Sequence, residues 1–226
     1  YRKDIQNIIK FGRANEPGQS FFYCSNDDTL SFLETSHIAR NLEEKEFEFD
    51  RLERVKDMFI FSCYTGYAYS DVEKFSPNDI VTGMDGLKWI YTERAKNDSK
   101  SNVPLLPQAL AIIEKYQSHP DVINKNRLLP VISNMKTNAY LKEIAVGCGI
   151  RKNLTFHMAR HTFATTVTLT NGVPIETVSA MLGHASLKTT QIYAKVIENK
   201  VSTDMLQLRE KLSLKVLPVK EVETGS

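Results

Sequence analysis

The sequence predicts an α+β fold that is mainly α: a helical domain with a small antiparallel sheet of three strands. The sheet is indicated by Asp85-Gly86, which separates two short runs, 79–82 and 87–94, that carry β-branched and aromatic residues. An Asp-Gly pair between two such runs is typical of a β-hairpin. A third strand is predicted over 102–105. Apolar residues at helical spacing, bounded by Gly or Pro, predict helices for most of the remaining chain.

The N-terminal elements are a short helix over 1–15, a linker over 16–28 and a buried helix over 54–65. The first helix has Ile5, Ile8 and Ile9 on one face, and the linker is rich in Gly, Pro, Ser and Asn. The 54–65 helix is strongly apolar and is expected to end near Gly66.

Each later helix begins or ends at a residue that favours a helix terminus. Pro107 begins a helix to about 118, and Ser133 begins a helix to about 147. Asn171-Gly172 ends a helix over 156–170, and the next helix lies between Pro174 and Gly183. Ser186 caps a helix that carries Tyr193. The tail over 203–216 places Met205, Leu208 and Leu212 on one stripe.

The composition is that of an ordinary globular protein, with 42% hydrophobic and 25% charged residues among 226. The three cysteines are odd in number and lack CxxC spacing, which favours a reducing cytosol over a disulfide framework or a cysteine zinc site. No apolar run approaches the ~18 residues of a membrane helix. A cytoplasmic protein with no membrane partner is therefore expected.

The net charge is only +2, but its distribution is uneven. Residues 27–57 hold ten Asp/Glu against five Lys/Arg, whereas residues 87–160 hold twelve Lys/Arg against five Asp/Glu. A basic middle suits a one-sided surface for a polyanion. The same charges are equally compatible with ordinary solvated helix faces, so charge alone leaves both interpretations open.

The most informative residues are spread over three short stretches: Thr155-Phe-His-Met-Ala-Arg-His-Thr-Phe, Met181-Leu-Gly-His-Ala and Thr189-Thr-Gln-Ile-Tyr. His157 and Arg160 are three residues apart and share a helix face. His184 follows a glycine at a helix end, and Tyr193 comes nine residues later. The set is a fixed cation, two imidazoles and a phenol.

Such a set suits attack on a phosphodiester. A free phenol has a pKa near ~10 and must be activated, while the extra charge on the phosphate oxygens needs preorganised donors. An arginine fork can hold two oxygens, and imidazoles can donate to an oxygen or take the phenol proton. A phosphotyrosine ester would keep the energy of the broken link, so rejoining needs no ATP. We therefore expect no cofactor and no metal.

On these motifs, residues 61–196 resemble the catalytic domain of the tyrosine recombinase (phage integrase) family, and within it the integrases of conjugative transposons. The family's His-x-x-Arg motif corresponds to His157 and Arg160, its Leu-Gly-His motif ends at His184, and its nucleophile corresponds to Tyr193. The family also keeps a lysine on a β-hairpin, which Lys96 matches. The resemblance implies a site-specific DNA recombinase or integrase that forms a 3′-phosphotyrosyl intermediate, with Lys96 protonating the leaving 5′-oxygen.

The resemblance also implies partners and a domain organisation. The partner is double-stranded DNA, on which the chain would form a homo-oligomer, a tetramer, while remaining a monomer without DNA. Residues 1–30 would be the tail of an N-terminal core-binding domain plus linker, and 31–226 the catalytic domain with its C-terminal tail. The tail would dock on a neighbouring protomer, and the protein would act in a bacterial cytoplasm, associated with DNA.

The chain departs from the family at Ala68, where the first catalytic arginine normally follows Thr-Gly-x. Losing one preorganised donor can cost on the order of 10²–10³ in rate. Three explanations of Ala68 are open: a second hypothesis, in which the chain is a catalytically impaired DNA-binding or regulatory protein of the same fold; an engineered change; or another cation in place of the arginine. Arg94 is the candidate that would bind phosphate instead, because on a strand it would lie on the same side as Lys96. The alternative for Arg94 is a strand-end ion pair with Glu93 or Glu114.

Several other residues have structural interpretations. His161 lies four residues after His157, but Met158 stands where a zinc protease helix needs glutamate, so His161 is expected to be a packed structural histidine. Tyr64, Tyr67 and Tyr69 are expected to pack around a helix end. A topoisomerase with the same chemistry is a third functional hypothesis, less favoured because such enzymes usually carry large clamp domains.

Overall fold

In a computed structural model of the chain, the described residues are 42, 43, 45, 47, 49–93, 100–150, 152–193, 205, 206, 208–210, 212 and 213. The helices are α1 Asp50–Thr65, α2 Tyr69–Val72, α3 Pro107–Tyr116, α4 Pro120–Lys125, α5 Asn134–Gly147, α6 His157–Thr162, α7 Ile175–Met181 and α8 Leu187–Thr190. The strands are β1 Ile80–Thr82, β2 Lys88–Glu93 and β3 Lys100–Pro104. The predicted fold class, mainly helical with three antiparallel strands, is confirmed.

Helix α1 forms the centre of the core. Its residues from Val55 to Cys63 are all buried, and it packs against α3, α5 and α6. The prediction of a buried helix ending near Gly66 is confirmed, since Gly66 caps α1 with φ 73 and its N–H donates to Ser62 O over 2.9 Å. Only a residue without Cβ adopts this left-handed conformation readily. The chain can therefore turn sharply out of the core at this point.

The sheet has the order β1-β2-β3, with both pairs antiparallel. The predicted Asp85-Gly86 turn joins β1 and β2, and Gly86 has φ 76. Ile90 and Val103 pair on the buried face, whereas Tyr91 on the opposite face is exposed. This alternation leaves one side of the sheet covered by the helical body and the other side open.

Tyrosine side chains tie the segment after α1 to its neighbours. The buried Tyr67 hydroxyl lies 2.9 Å from Ser101 O and 3.1 Å from Ile90 O, and Tyr69 Oη donates to Ile132 O over 2.6 Å. Tyr69 also packs edge-on against Phe156. The expectation that these tyrosines pack around a helix end agrees with these contacts.

The C-terminal helices differ from the sequence prediction in detail. Residues 156–170 were expected to form one helix, but α6 passes into a π-helical segment, Phe163–Thr168, and then a 3₁₀ turn, Leu169–Asn171. Thr168 Oγ1 donates to the carbonyls of Phe163 and Ala164, and such hydroxyls compete with regular helix hydrogen bonds. The helix predicted to carry Tyr193 ends at Thr190, and Tyr193 lies in the 3₁₀ turn that follows.

Two further differences concern helix starts. Helix α5 begins after Ser133 as predicted, but the Ser133 side chain makes no capping hydrogen bond. Helix α4 was not predicted. It begins at Pro120, and His119 Nδ1 accepts a hydrogen bond from Asp121 N–H over 3.1 Å, an N-cap by a residue type that sequence rules rarely consider.

Some predictions fall outside the described residues: the helix over 1–15, the linker over 16–28, the domain boundary near 30, and the positions of Arg94 and Lys96. In the part of the chain that is described, each helix is too short or too polar to cross a membrane.

Candidate active site

Arg160 is the buried centre of the candidate site. Its side chain is almost fully enclosed, and its two terminal nitrogens donate to backbone carbonyls, Nη1 to Gly66 O over 2.7 Å and Nη2 to Leu182 O over 2.5 Å. These carbonyls belong to the turn after α1 and to the end of α7. One guanidinium therefore joins α6 to the turn after α1 and to the end of α7, and a hydrogen bond from each terminal nitrogen fixes the orientation of its plane.

The Gly66 turn closely approaches the π-helical segment that follows α6. An added Cβ at Gly66 would lie 2.4 Å from Cδ1 of Phe163, which is itself buried. The turn continues to Ala68, whose N–H donates to Asp71 Oδ2 over 3.3 Å at the start of α2. Ala68 is half-buried beside this turn.

His184 is positioned by the chain reversal between α7 and α8. Its N–H donates to Ser179 O over 3.0 Å, and its Nδ1 is hydrogen-bonded to the fully buried Thr190 Oγ1 over 2.8 Å. Ser186 caps α8, as predicted, by accepting from Lys188 N–H. Because Nδ1 is occupied by Thr190, the imidazole is held in one orientation.

Tyr193 lies against α6, and its side chain is buried. Its hydroxyl oxygen is 3.1 Å from Nδ1 of His161, and the two rings are edge-on with centroids 5.6 Å apart. His161 in turn contacts His157 edge-on, with ring centroids 4.7 Å apart. The phenol, His161 and His157 thus form a continuous row along one face of α6.

Burial favours the uncharged form of all three side chains in this row, and nearby positive charge adds to the effect for the two imidazoles. Burial raises the pKa of Tyr193, an effect that the nearby Arg160 partly offsets. Burial lowers the pKa of His161, and His157, Arg160 and Lys152 lower it further by repelling a second positive charge. The pKa of His157 is lowered by burial and by Arg160. The site therefore presents a neutral phenol and neutral imidazoles beside one fixed cation.

The structure brings most of the predicted residues into one region. His157, Arg160 and Tyr193 meet along α6, and His184 belongs to the chain reversal whose Leu182 carbonyl holds Arg160. Among the described residues, no three candidate ligands come together as they would around a metal ion.

Sequence analysis treats His161 only as a packed structural histidine and does not anticipate its contact with the Tyr193 hydroxyl. The sequence does indicate that His161 lies beside His157, because residues four apart on a helix share one face. Only the fold, however, brings Tyr193 to that face.

The fold and this arrangement define a tyrosine recombinase catalytic domain. Residues 34–200 match the model of the phage integrase family, and the chain belongs to that family. The resemblance drawn from the motifs is thereby confirmed.

Individual relatives agree. Tyrosine recombinase XerD of Lacticaseibacillus casei is 35% identical over 151 residues, which are 62% of this chain and 50% of the relative. XerD of Listeria innocua is 31% identical over 143 residues, 58% of this chain and 46% of the relative. The chain spans about half the length of the curated relatives it matches.

Solved structures share the fold. XerH site-specific recombinase, bound to palindromic difH substrate in a post-cleavage complex, has a TM-score of 0.58 at 19% identity, covering 80% of this chain and 51% of that one. The Tn1549 transposon integrase, in complex with circular intermediate DNA, has a TM-score of 0.52 at 12% identity, covering 79% and 64%. At these identities the likeness concerns the fold alone.

Proposed function

We propose that this chain is a site-specific DNA recombinase that cuts and rejoins strands through a 3′-phosphotyrosyl bond at Tyr193. The observation that carries the proposal is the contact of the Tyr193 phenol with the helix that bears His157 and Arg160, across 32 residues of sequence. A phenol, neutral imidazoles and a fixed guanidinium are the groups that attack on a phosphodiester requires.

In the proposed reaction, the Tyr193 oxygen attacks the phosphorus and the bond from phosphorus to the 5′-oxygen breaks. The phenol loses its proton and the 5′-oxygen gains one, while Arg160 and His184 stabilise the charge on the phosphate oxygens. Rejoining reverses these steps with the 5′-hydroxyl of another strand as nucleophile. The ester keeps the energy of the original link, so neither a cofactor nor a metal is needed.

The anchoring of Arg160 supports its role. A guanidinium held by two carbonyls loses little further freedom when it meets a phosphate, and preorganisation of this kind is what makes a charged donor effective in a transition state. Removing one such donor typically costs on the order of 10²–10³ in rate.

Lys96 and Arg94 complete the proposal from the family resemblance. Lys96 would protonate the leaving 5′-oxygen, and Arg94 would supply the charge missing at Ala68. Arg94→Ala should then lower strand cleavage by roughly 10² or more with the fold intact. Arginine restored at position 68 in that variant should recover part of the loss. Unchanged cleavage in Arg94→Ala would show that Arg94 does not supply the charge missing at Ala68.

Ala68 also favours the second candidate function, an impaired DNA-binding or regulatory protein of the same fold. The two functions differ in one observable, the covalent adduct. A protein of the second kind would bind DNA and never become attached to it.

The proposed partner is double-stranded DNA, with four copies of the chain on the recombining sites and a monomer in its absence. We also keep the proposal that residues 1–30 end a core-binding domain and that 31–226 form the catalytic domain with its tail. Binding by this chain should then be weak and steeply salt-dependent, because phosphate contacts would dominate.

The deciding experiment uses suicide DNA substrates, in which a nick prevents religation, and detects covalent adducts on a denaturing gel. The unaltered chain should form an adduct in the presence of a chelator, and Tyr193→Phe should bind DNA without forming one. Tyr140→Phe, which removes a hydroxyl outside the site, should behave as the unaltered chain does. An adduct with Tyr193→Phe would overturn the assignment of the nucleophile.

A further inference from the structure

The contact between His161 and Tyr193 is a feature of the site to which the motif residues named above assign no role. The phenol oxygen lies at hydrogen-bonding distance, 3.1 Å, from Nδ1 of His161. The rings meet edge-on, so the imidazole nitrogen faces the hydroxyl rather than the ring face of the tyrosine. His161 is therefore the imidazole in contact with the atom that attacks the phosphate.

The surroundings of His161 favour its neutral form. His157 packs against it on α6, Arg160 is its neighbour in sequence, Lys152 acts on it from the preceding loop, and Tyr193 covers it from the C-terminal side. The first three groups oppose a positive charge on the ring, and burial does the same. A neutral imidazole that carries its hydrogen on Nε2 offers the Nδ1 lone pair to the phenol.

We propose that His161 accepts the proton of Tyr193 as the phenol attacks the scissile phosphate. The inference rests on the proposed function and names the proton acceptor of that site. As the bond from the Tyr193 oxygen to phosphorus forms, the phenol proton moves to Nδ1. The bond from phosphorus to the 5′-oxygen breaks with its electron pair, and that oxygen takes a proton from Lys96. In rejoining, His161 returns its proton to Tyr193 and the incoming 5′-hydroxyl gives its proton to Lys96.

The position of His157 supports this division of roles. His157 contacts the His161 ring and is more exposed, so it lies on the side of the row from which a phosphate oxygen can approach. His161, between His157 and the phenol, is half-buried. The outer imidazole is thus suited to donate to the phosphate and the inner one to take the proton.

The first test compares single-turnover cleavage by His161→Gln with His119→Gln, which alters a half-buried histidine outside the site at the start of α4. Loss of a general base typically lowers a rate by 10²–10⁴-fold, so His161→Gln should cleave at least ~10²-fold more slowly, and His119→Gln should not. A substrate with a bridging 5′-sulfur then separates the two proton transfers. A thiolate leaves without a proton because thiols ionise near pH ~8.5, so this substrate should rescue Lys96→Ala but not His161→Gln.

The pH profile gives a readout that a merely structural role would not change. The unaltered chain should lose activity as the pH falls through the lowered pKa of His161, because the protonated ring cannot accept the phenol proton. In His161→Gln the rate should instead rise with pH into the range where Tyr193 itself ionises. The proposal would be overturned if His161→Gln and the unaltered chain had the same cleavage rate and the same pH profile. Full rescue of His161→Gln by the sulfur substrate would also overturn it.

A measurement without DNA separates this inference from the proposed function. NMR of the chain with isotope-labelled histidine reports the ring pKa of each of the five histidines. Tyr193→Phe removes the donor that favours the neutral ring, so the pKa of His161 should rise in that variant. If the unaltered chain forms no adduct with DNA, the proposed function fails while a raised pKa still supports the pairing. An unchanged His161 pKa would refute the pairing itself.

Discussion

Replacing Gly66 by alanine tests how tightly the turn after α1 is fitted against Phe163, the first residue of the π-helical segment after α6. Gly66 has φ 73, and an added Cβ would lie 2.4 Å from Cδ1 and 2.9 Å from Cε1 of Phe163. The left-handed conformation costs a residue with Cβ roughly 1–2 kcal/mol. Forcing a carbon into the packed core costs typically ~1–3 kcal/mol more. Gly66→Ala should therefore lower the free energy of unfolding by about 2–5 kcal/mol.

Gly86 provides a matched control, because it has φ 76 and nothing lies within 4 Å of its added Cβ. Gly86→Ala should lose only the backbone contribution, about 1–2 kcal/mol. The difference between the two variants isolates the overlap with Phe163. Combining Gly66→Ala with Phe163→Leu should lose less than the sum of the single losses, since the smaller side chain makes room for the methyl group.

The assay is urea unfolding followed by circular dichroism and by the fluorescence of Trp89, the chain's single tryptophan. Coincident transitions would justify two-state free energies. Gly66→Ala should also reduce DNA cleavage, because a displaced Gly66 carbonyl no longer holds Arg160. If Gly66→Ala loses no more stability than Gly86→Ala, the close fit to Phe163 is not a constraint on this turn.

Three further predictions concern the α1–α3 interface and the tail. Tyr116→Phe should lower the free energy of unfolding by about 1–3 kcal/mol, because the buried Asp57 carboxylate loses a donor at 2.8 Å; an equal loss in the control Tyr140→Phe would contradict this. Burial opposes ionisation of Glu53, but hydrogen bonds from Lys115 and Lys56 outweigh it and lower its pKa. Its contribution to stability is thus complete above its ordinary pKa of 4.5 and is lost as the pH falls through the lowered value, and Glu53→Gln should remove that part of the pH dependence of urea unfolding. Leu208→Ser, in an exposed apolar row with Met205 and Leu212, should weaken self-association on DNA in sedimentation experiments while Glu210→Ser does not; equal effects would argue against docking by this face.

The sequence predicts the elements whose signals are local. The Asp85-Gly86 hairpin and the end of α1 at Gly66 follow from turn and helix-end chemistry that a few neighbouring residues determine. The π-helical segment after α6 could not be predicted in this way. It depends on hydrogen bonds from Thr168 Oγ1 to the carbonyls of Phe163 and Ala164. The spacing of apolar residues along the helix does not indicate these hydrogen bonds.

The candidate site was predictable as a set of residues but not as a set of contacts. The spacing of His157 and Arg160 indicates a shared face, and the family resemblance adds His184 and Tyr193. The carbonyl partners of Arg160 come from segments far away in sequence, and so does the phenol that meets His161. Long-range contacts of this kind depend on packing of the whole core.

The conformation of the turn at Ala68 is held by groups other than the residue-68 side chain. Gly66 sets the turn, Arg160 holds the Gly66 carbonyl, and Asp71 accepts from the Ala68 N–H. Tyr67, between them, is fixed by its own buried side chain. None of these contacts uses the side chain of residue 68, and the one contact that residue 68 makes uses its backbone N–H, which an arginine would also have. The fold can therefore keep this turn with alanine in place of arginine, and any difference in cleavage between the two residues would reflect charge at the phosphate rather than a change in the turn.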